Sequence, residues 1–179
     1  MRRIRLTDPG HPEFTRAWRL YKESFPVDER RRLGSQRRIM QRSMYHFDVI
    51  MDHHFFIGIL LWWDFESVRY VEHLAVVQHL RGMQHGEHIL KCFLSESDLP
   101  VWLEVEPPDN ELRHRRVGFY RRVGFTLNEH AYTQPPYEKN SQPVPLLVMT
   151  YPEAITESDI RFFCRQYHPI ITDYSGVSQ

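Results

Sequence analysis

The sequence predicts an α/β (α+β) fold with a mixed central β-sheet of about seven strands flanked by helices. Two observations support this prediction. Runs of β-branched and aromatic residues recur along the chain, and segments with apolar residues at helical spacing separate them. The chain has 179 residues, enough to bury a sizeable core, and no repeat or low-complexity tract interrupts it. We therefore expect one domain over residues 1–179.

The first third of the chain predicts one short strand and two helices. Apolar and aromatic residues at close to helical spacing over 12–24 predict the first helix. It should end at Phe25, because the residue before Pro26 avoids helical backbone. A second, strongly basic helix is expected over 35–43. Three strands of a meander follow, at 45–51, 55–63 and 68–77.

The second half alternates helices with strands. A helix with one apolar face is expected after Gly82, followed by a strand of strictly alternating polarity. The next helix should end at Gly124, a residue suited to the left-handed position after a helix. A clear strand covers 144–151. Thr156 and Asp159 resemble a capping box and open a last helix from about residue 156.

The composition is that of a globular protein with no net charge. Hydrophobic residues make up 41% and aromatic residues 13%, and 23 Lys plus Arg balance 23 Asp plus Glu. These values favour neither disorder nor a bulk attraction to nucleic acid or anionic membrane. The longest apolar run, 55–63, is shorter than the roughly 20 residues that span a bilayer. We expect a soluble protein of the cytoplasm.

Cysteine and histidine patterns indicate neither a disulfide framework nor a metal site. Cys92 and Cys164 are too few and too far apart for either, and we expect both to be small buried hydrophobic residues. His85 and His88 form a helical i, i+3 pair, but no carboxylate or cysteine cluster completes a ligand set. We expect the histidines to be scattered over the surface, with no metal bound.

The stretch HLRGMQHGEHIL, residues 79–90, reads as a loop that turns into a helix. Arg81, Gly82 and Gly86 are the residue types of a phosphate-binding turn. Such a turn works because a helix N-terminus carries unpaired backbone N–H groups and a partial positive charge. An ordinary strand-to-helix turn, with Gly86 needed only for close packing on the sheet, is the alternative. The turn alone does not decide between them.

Four consecutive landmarks give the turn its context. The strand YVEHLAVV, the turn HLRGMQHGEHIL, the strand VWLEVE and the helix end GFYRRVGF resemble, in this order, the GNAT superfamily of acetyl-CoA-dependent N-acetyltransferases. Together they cover residues 68–125. The resemblance implies a GNAT-like acyl-CoA N-acyltransferase fold and direct transfer of an acetyl group from acetyl-CoA, as co-substrate, to a primary amine.

The resemblance also implies that the coenzyme A diphosphate binds at the turn. The family pattern there is Arg or Gln, two residues, Gly, one residue, Gly or Ala. Arg81 and Gly86 match it, whereas Gln84 stands at the central glycine. The backbone donors survive this replacement if residue 84 keeps a negative φ, although clearance for the phosphate is lost. The implied cofactor-binding residues are Leu74, Ala75, Val76, Arg81, Gly82, Met83, Gln84, His85, Gly86, Asn110 and Phe119; Asn110 lies farther from the tyrosine of its helix than is usual in the family.

Acetyl transfer must remove a proton from the acceptor ammonium and protonate or stabilise the departing thiolate. The resemblance implies that Tyr120 is the acid and Glu104 the base, with Glu72 as the second candidate base and Glu106 as the third. Alternatively, Glu104 is a strand-pairing carboxylate and Tyr120 a core aromatic. A backbone N–H near 75–77 would hold the oxyanion.

A basic helix leaves other classes of protein open. Its basic residues are Arg113, His114, Arg115, Arg116, Arg121 and Arg122. Three roles are open for them. They form a solvated face, they contact the 3′-phosphate of coenzyme A, or they bind nucleic acid or an acidic partner in a module without catalysis. A sensor that binds acyl-CoA without turnover is the third class. We favour the enzyme, acting on an amine without nucleic-acid or membrane partners, as a monomer or homodimer.

The acceptor amine is not identified by the sequence. Large aromatic residues either line an acceptor pocket or belong to the core, which is the commoner place for them. These residues are Trp62, Trp63, Tyr132 and Tyr137.

Overall fold

The structure is a computed structural model that describes residues 1–139 and 141–172. Its seven strands are β1 (Arg2–Arg5), β2 (Tyr45–Asp52), β3 (Phe55–Asp64), β4 (Arg69–Val76), β5 (Val101–Val105), β6 (Thr126–Gln134) and β7 (Val144–Tyr151). Its helices are α1 (Phe14–Ser24), α2 (Leu33–Ile39), α3 (His85–Leu94), α4 (Glu111–Val123) and α5 (Glu157–Ile171). The order of these elements along the chain is the predicted one.

All seven strands belong to one sheet in the order β1-β2-β3-β4-β5-β7-β6. Every neighbouring pair is antiparallel except β4 and β5, which are parallel. Their pairing covers only the first three residues of each strand, from Arg69 opposite Val101 to Val71 opposite Leu103. Beyond that point the two strands separate. The sheet therefore opens into a cleft between the second halves of β4 and β5.

Side chains alternate between two cores, one on each face of the sheet. On β3, Ile59, Leu61 and Trp63 pack with α1, α2 and α5, which we call the first face. Leu60 and Trp62 pack with α3 and α4, on the second face. Because both faces are covered by helices, β3 reads as a continuous apolar run rather than an alternating one.

A β-bulge in β4 changes this alternation beside the cleft. The register with β3 passes from Trp62 opposite Val71 to Leu61 opposite His73, so Glu72 is an extra residue. The bulge allows Glu72 and His73 to contact the same face: Glu72 contacts Trp63, and His73 contacts Tyr21. Two polar side chains are thus directed into the first face at the point where the sheet opens.

Local signals at helix ends are confirmed. Gly124 follows α4 with φ 110°, in the left-handed conformation that glycine tolerates. Thr156 and Asp159 form a reciprocal capping box at the start of α5. Both are interactions between residues close in sequence, so the sequence pattern alone predicts them.

Three expectations are wrong. The helix expected over 35–43 is α2, and it ends at Ile39 rather than residue 43, because the chain forms turns before β2 begins at Tyr45. Cys92 is exposed, since it lies on the outer side of α3, and Cys164 is half-buried. The histidines are not all on the surface, because the bulge directs His73 inward, where it is only 5% exposed.

Within residues 1–139 and 141–172, no helix is long and apolar enough to cross a membrane.

We predict that Gly58→Ala destabilises the fold. A Cβ at this position would lie 2.2 Å from the backbone oxygen of Ala75 on β4, so the strands would have to move apart. The expected loss in the free energy of unfolding is about 1–3 kcal/mol by urea denaturation. Gly34→Ala in α2 is the control, because its nearest neighbour is the end of Arg38 at 3.9 Å. It should gain up to about 1 kcal/mol from helix propensity. Equal stability of Gly58→Ala and the wild type would show that β3 and β4 do not need this close approach.

Candidate functional site

A cavity of about 530 Å³ occupies the opening between β4 and β5. Its walls come from both strands, the N-terminus of α3, α4, and the segment after α1. Three arginines and five glutamates line it: Arg81, Arg116 and Arg122, and Glu29, Glu72, Glu87, Glu104 and Glu106. The cavity therefore offers contacts to both anionic and cationic groups.

The N-terminus of α3 lies at this cavity without a side-chain cap. Gln84 precedes the helix, and its side chain makes no capping hydrogen bond. The first N–H groups of an uncapped helix lack intrahelical partners and carry a partial positive charge. Gln84 and Gly86 both line the cavity. An anion can therefore bind here through backbone groups.

Gln84 does not keep the negative φ that the sequence interpretation required. Its φ is 63°, and Gly82 is also left-handed with φ 79°. The turn thus uses two left-handed residues, and only one of them is a glycine. A side chain in this conformation costs roughly 1–2 kcal/mol. The site therefore retains a strained turn where the family pattern has glycine.

Gly86 serves packing as well as the turn. A Cβ there would meet the ring of Phe119 at 3.2 Å and a methyl group of Val76 at 3.7 Å. The absence of a side chain lets α3 approach both α4 and β4. Arg81 ties the turn to the strand, because its Nε donates to the backbone oxygen of Val76 at 3.0 Å. These contacts fix the helix N-terminus relative to the cleft.

Most of the predicted cofactor-binding residues line the cavity. They are Leu74, Ala75, Val76, Arg81, Gly82, Gln84, His85, Gly86 and Phe119. Two predicted residues are placed elsewhere. Met83 is 60% exposed, outside the cavity lining. Asn110 caps α4, where its Oδ1 accepts a hydrogen bond from the backbone N–H of Arg113 at 3.0 Å.

Glu104 extends from β5 into the cavity on the first face of the sheet. Its Oε1 accepts a hydrogen bond from the hydroxyl of Tyr132, and its Oε2 accepts one from the amide of Gln134. Burial raises the pKa of Glu104 to about 7, although the hydrogen bonds from Tyr132, Tyr70 and Gln134 oppose this rise. A carboxylate with a pKa near neutrality can accept a proton and release it again at physiological pH.

Tyr120 reaches the cavity from α4, on the second face. Its ring packs edge-on against Phe119 and Phe125, with centroids 5.0 and 5.9 Å away. Burial raises the pKa of Tyr120, and nearby Arg116 only partly offsets this effect. The hydroxyl therefore keeps its proton at neutral pH. Glu104 and Tyr120 line one cavity but approach it from opposite faces of the sheet.

Glu72 also touches the cavity, but its carboxylate forms a buried ion pair. Arg31 donates to both carboxylate oxygens, at 2.6 and 2.7 Å, and Trp63 Nε1 donates to Oε1 at 2.8 Å. The side chain of Glu72 is 0% exposed and that of Arg31 3%. Burial lowers the pKa of Arg31, but Glu72 more than compensates and raises it well above its usual range. To act as a general base, Glu72 would have to break its ion pair with Arg31.

The structure shows polar contacts around Glu104 that the sequence interpretation did not predict. Gln134 and Tyr132 contact Glu104, and His168 of α5 lies 2.8 Å from the Tyr132 hydroxyl. The spacing of Tyr132 and Gln134, two residues apart on one strand, was the available signal that they share a face. The four aromatic residues left open in the sequence, Trp62, Trp63, Tyr132 and Tyr137, are all buried in the core.

The basic helix α4 carries many of its own counterions. Arg113 pairs with Glu106 and Asp109, Arg115 with Glu111, and Arg116 with Glu106. These pairs weaken α4 as a surface for an acidic partner, because the net charge of the face is small. In the described part of the chain, no three His, Cys, Asp or Glu side chains come together as metal ligands would.

Comparison with solved structures identifies similar proteins. A protein from Bacteroides thetaiotaomicron, described as a GNAT-family acetyltransferase, is 33% identical with a TM-score of 0.89, over 96% of this chain and 98% of its own. The ribosomal-protein-S18-alanine N-acetyltransferase of Escherichia coli is 13% identical with a TM-score of 0.59, over 87% and 95%. An aminoglycoside 6′-N-acetyltransferase complexed with coenzyme A is 13% identical with a TM-score of 0.58, over 88% and 100%. The last two show a shared fold. No family model and no curated protein matches the chain.

We predict that Glu72→Gln destabilises the protein by about 3–5 kcal/mol, because it leaves the Arg31 guanidinium buried without a counterion. Urea denaturation at pH 7 measures the change. The double variant Arg31→Met with Glu72→Met is the control, since it removes both charges and should recover much of the loss. A stable Glu72→Gln protein would show that the ion pair does not support the fold.

Proposed function

Because the chain belongs to the GNAT family of acetyltransferases, we propose that it transfers an acetyl group from acetyl-CoA to a primary amine in the cleft between β4 and β5. One observation carries this proposal. The uncapped N-terminus of α3 and the Glu104 carboxyl, whose pKa is about 7, line the same cavity. The first suits a diphosphate and the second suits the deprotonation of an amine.

The second face of the sheet suits the acyl donor. Backbone N–H groups at the start of α3 would receive the diphosphate, as helix N-termini do for other anions. Arg122 lines the cavity and supplies positive charge, whereas Arg116, which also lines it, is paired with Glu106. The coenzyme A bound in the similar aminoglycoside acetyltransferase supports a coenzyme A thioester as the donor. We propose that its acyl group is acetyl and that it reaches the opening from the side of α3 and α4.

The reaction needs a group that removes protons from the amine and a group that protonates the thiolate, and we assign one side chain to each role. Glu104 takes a proton from the acceptor ammonium, and the free amine then attacks the acetyl carbonyl carbon. A backbone N–H near residues 75–77 stabilises the developing oxyanion. As the carbon–sulfur bond breaks, Tyr120 donates its proton to the departing thiolate. After the attack, the nitrogen carries one proton too many for an amide. That proton leaves as the amide forms and replaces the one that Tyr120 gave to sulfur, while the proton on Glu104 is released to solvent. The products are an amide, a thiol and one proton, so no external reagent is required.

The other classes of protein receive less support. The ion pairs of Arg113, Arg115 and Arg116 argue against a nucleic-acid module built on α4. A sensor without turnover would not need a carboxyl with a pKa near neutrality in the cavity that Tyr120 also lines. We further propose a single domain over 1–179, acting as a monomer or homodimer in the cytoplasm, where acetyl-CoA is available.

We predict that saturating acetyl-CoA stabilises the protein. At a concentration of about 100 times Kd, the free energy of unfolding should rise by about 2.7 kcal/mol through binding linkage, which a thermal melt detects. Acetyl-pantetheine is the control, because it presents the same thioester without the diphosphate and should shift the melt much less. An unchanged melting temperature together with no heat of binding by calorimetry would contradict the proposed function.

We predict that Tyr120→Phe lowers kcat by roughly 10²-fold while acetyl-CoA affinity stays unchanged, because the ring packing is kept and only the donated proton is lost. A screen of polyamines, aminoglycosides, amino acids and N-terminal peptides first supplies an acceptor. Tyr151→Phe is the matched control, since Tyr151 packs on the same Phe125 but lies outside the cavity lining. An unaltered kcat in Tyr120→Phe would remove this residue from the mechanism.

A further inference from the structure

A chain of polar groups continues behind Glu104, away from the cleft. Tyr132 on β6 donates its hydroxyl hydrogen to Glu104 Oε1. The same hydroxyl oxygen lies 2.8 Å from Nε2 of His168 on α5. The His168 ring also packs edge-on against Tyr132 and Phe163. These contacts hold the imidazole in one orientation behind the carboxylate.

Counting hydrogens determines the direction of the second hydrogen bond. A tyrosine hydroxyl carries a single hydrogen, and Tyr132 uses it toward Glu104. Its oxygen can then only accept from His168, so the histidine hydrogen is on Nε2. Burial lowers the pKa of His168 to about 4, so the ring is neutral at pH 7 and Nδ1 carries no hydrogen.

We propose that His168 is a positioning residue for the base: its Nε2 hydrogen bond to Tyr132 directs the Tyr132 hydrogen to Glu104 and so favours the ionised carboxylate. With its hydrogen on Nδ1 instead, His168 would accept from Tyr132 and leave Glu104 with one donor fewer. Donation from Nε2 to the Tyr132 oxygen also strengthens the hydrogen bond from Tyr132 to Glu104, because linked hydrogen bonds polarise one another. The role as base rests on the proposed function, whereas the effect on ionisation does not.

The groups around Glu104 determine whether the loss of a hydrogen bond raises or lowers its pKa. From β4, the Tyr70 hydroxyl lowers the pKa of Glu104 and the Glu72 charge raises it; from β6, Tyr132 and Gln134 lower it. Tyr137 and, on α5, Cys164 also face the Glu104 charge. Burial is the largest effect and raises the pKa to about 7. Removing a donor to the carboxylate leaves burial less opposed, so the pKa of Glu104 must rise.

Carbon-detected NMR titration of the glutamate carboxyl groups tests the proposal without a substrate, with Glu104→Gln to assign the resonance. Tyr132→Phe should raise the pKa of Glu104 by about one to two units, because a hydrogen bond to a charged group is lost. His168→Leu keeps Tyr132 as a donor but weakens its hydrogen bond to Glu104, so it should raise the pKa less, by about half a unit to one unit. Tyr167→Phe, next to His168 on α5, is the control: the Tyr167 hydroxyl bonds Ser67 rather than the Glu104 network, so its loss should leave the titration unchanged.

His168→Gln separates positioning from other roles. Glutamine can donate an N–H to Tyr132 but cannot pass a proton between two nitrogens. A pKa for Glu104 within about 0.3 units of the wild type supports positioning. A shift as large as that of His168→Leu, or no shift in His168→Leu, would overturn the proposal. Should His168→Leu fail to fold, Tyr132→Phe and His168→Gln still decide, because an unchanged Glu104 pKa in Tyr132→Phe also overturns it.

The kinetic profile gives an independent readout once an acceptor is known. If His168→Leu raises the pKa of Glu104 from about 7 to about 8, the ionised fraction at pH 7 falls from about one half to about one tenth. The value of kcat/KM should then fall about fivefold at pH 7 and recover above about pH 9. The variant is compared with the wild type at each pH, because the acceptor amine itself loses a proton in this range. Failure of the wild type to acetylate any amine would refute the proposed function, while the NMR result would stand by itself.

Discussion

The short parallel pairing of β4 with β5 is the constraint on which the rest of the structure depends. Parallel strands normally continue their hydrogen bonding along their length, but here the register covers three pairs and then ends. The backbone beyond that point faces a cavity instead of a neighbouring strand. Because α3 follows β4 through one short turn, its N-terminus is brought to the same opening. One break in the sheet thus brings together backbone donors, a carboxyl and a phenol.

The buried ion pair between Arg31 and Glu72 holds one wall of the opening. Arg31 comes from the segment between α1 and α2, and it also donates to the backbone oxygen of Ile171 at the end of α5 at 2.8 Å. Its own backbone N–H bonds the Tyr21 hydroxyl of α1 at 2.9 Å. Three separate parts of the chain, β4, α5 and α1, therefore meet at Arg31 on the first face. Such a pair adds little net stability over apolar residues, but it penalises arrangements that separate the charges.

The elements were predictable from sequence because their signals are local. Alternation, helical spacing, Gly124 and the Thr156 capping box all involve residues within a few positions of one another. Glu104 and Tyr120 were predicted as site residues because the motifs VWLEVE and GFYRRVGF, which contain them, resemble those of the GNAT family. The partner of Glu72 was not predictable, because Arg31 lies 41 residues away and meets it through a bulge that no local pattern reveals. The contacts of Tyr132 with Glu104 and His168 span 28 and 36 residues and likewise depend on tertiary packing. The positive φ of Gln84 ran against residue preference, which is why the expectation for this residue was wrong.

The opening passes through the sheet from one face to the other, so a substitution on one face need not disturb the other. Residues that suit the donor lie with α3 and α4, whereas Glu104 and the segment containing Ser24 and Glu29 lie toward α1 and α5. Substitutions in the loop between α1 and α2 can alter which molecule fits on that side without moving the N-terminus of α3. Loops on a rigid scaffold tolerate such changes well. Under the proposed function, a sheet opened in this way lets the acceptor change while the recognition of acetyl-CoA stays intact.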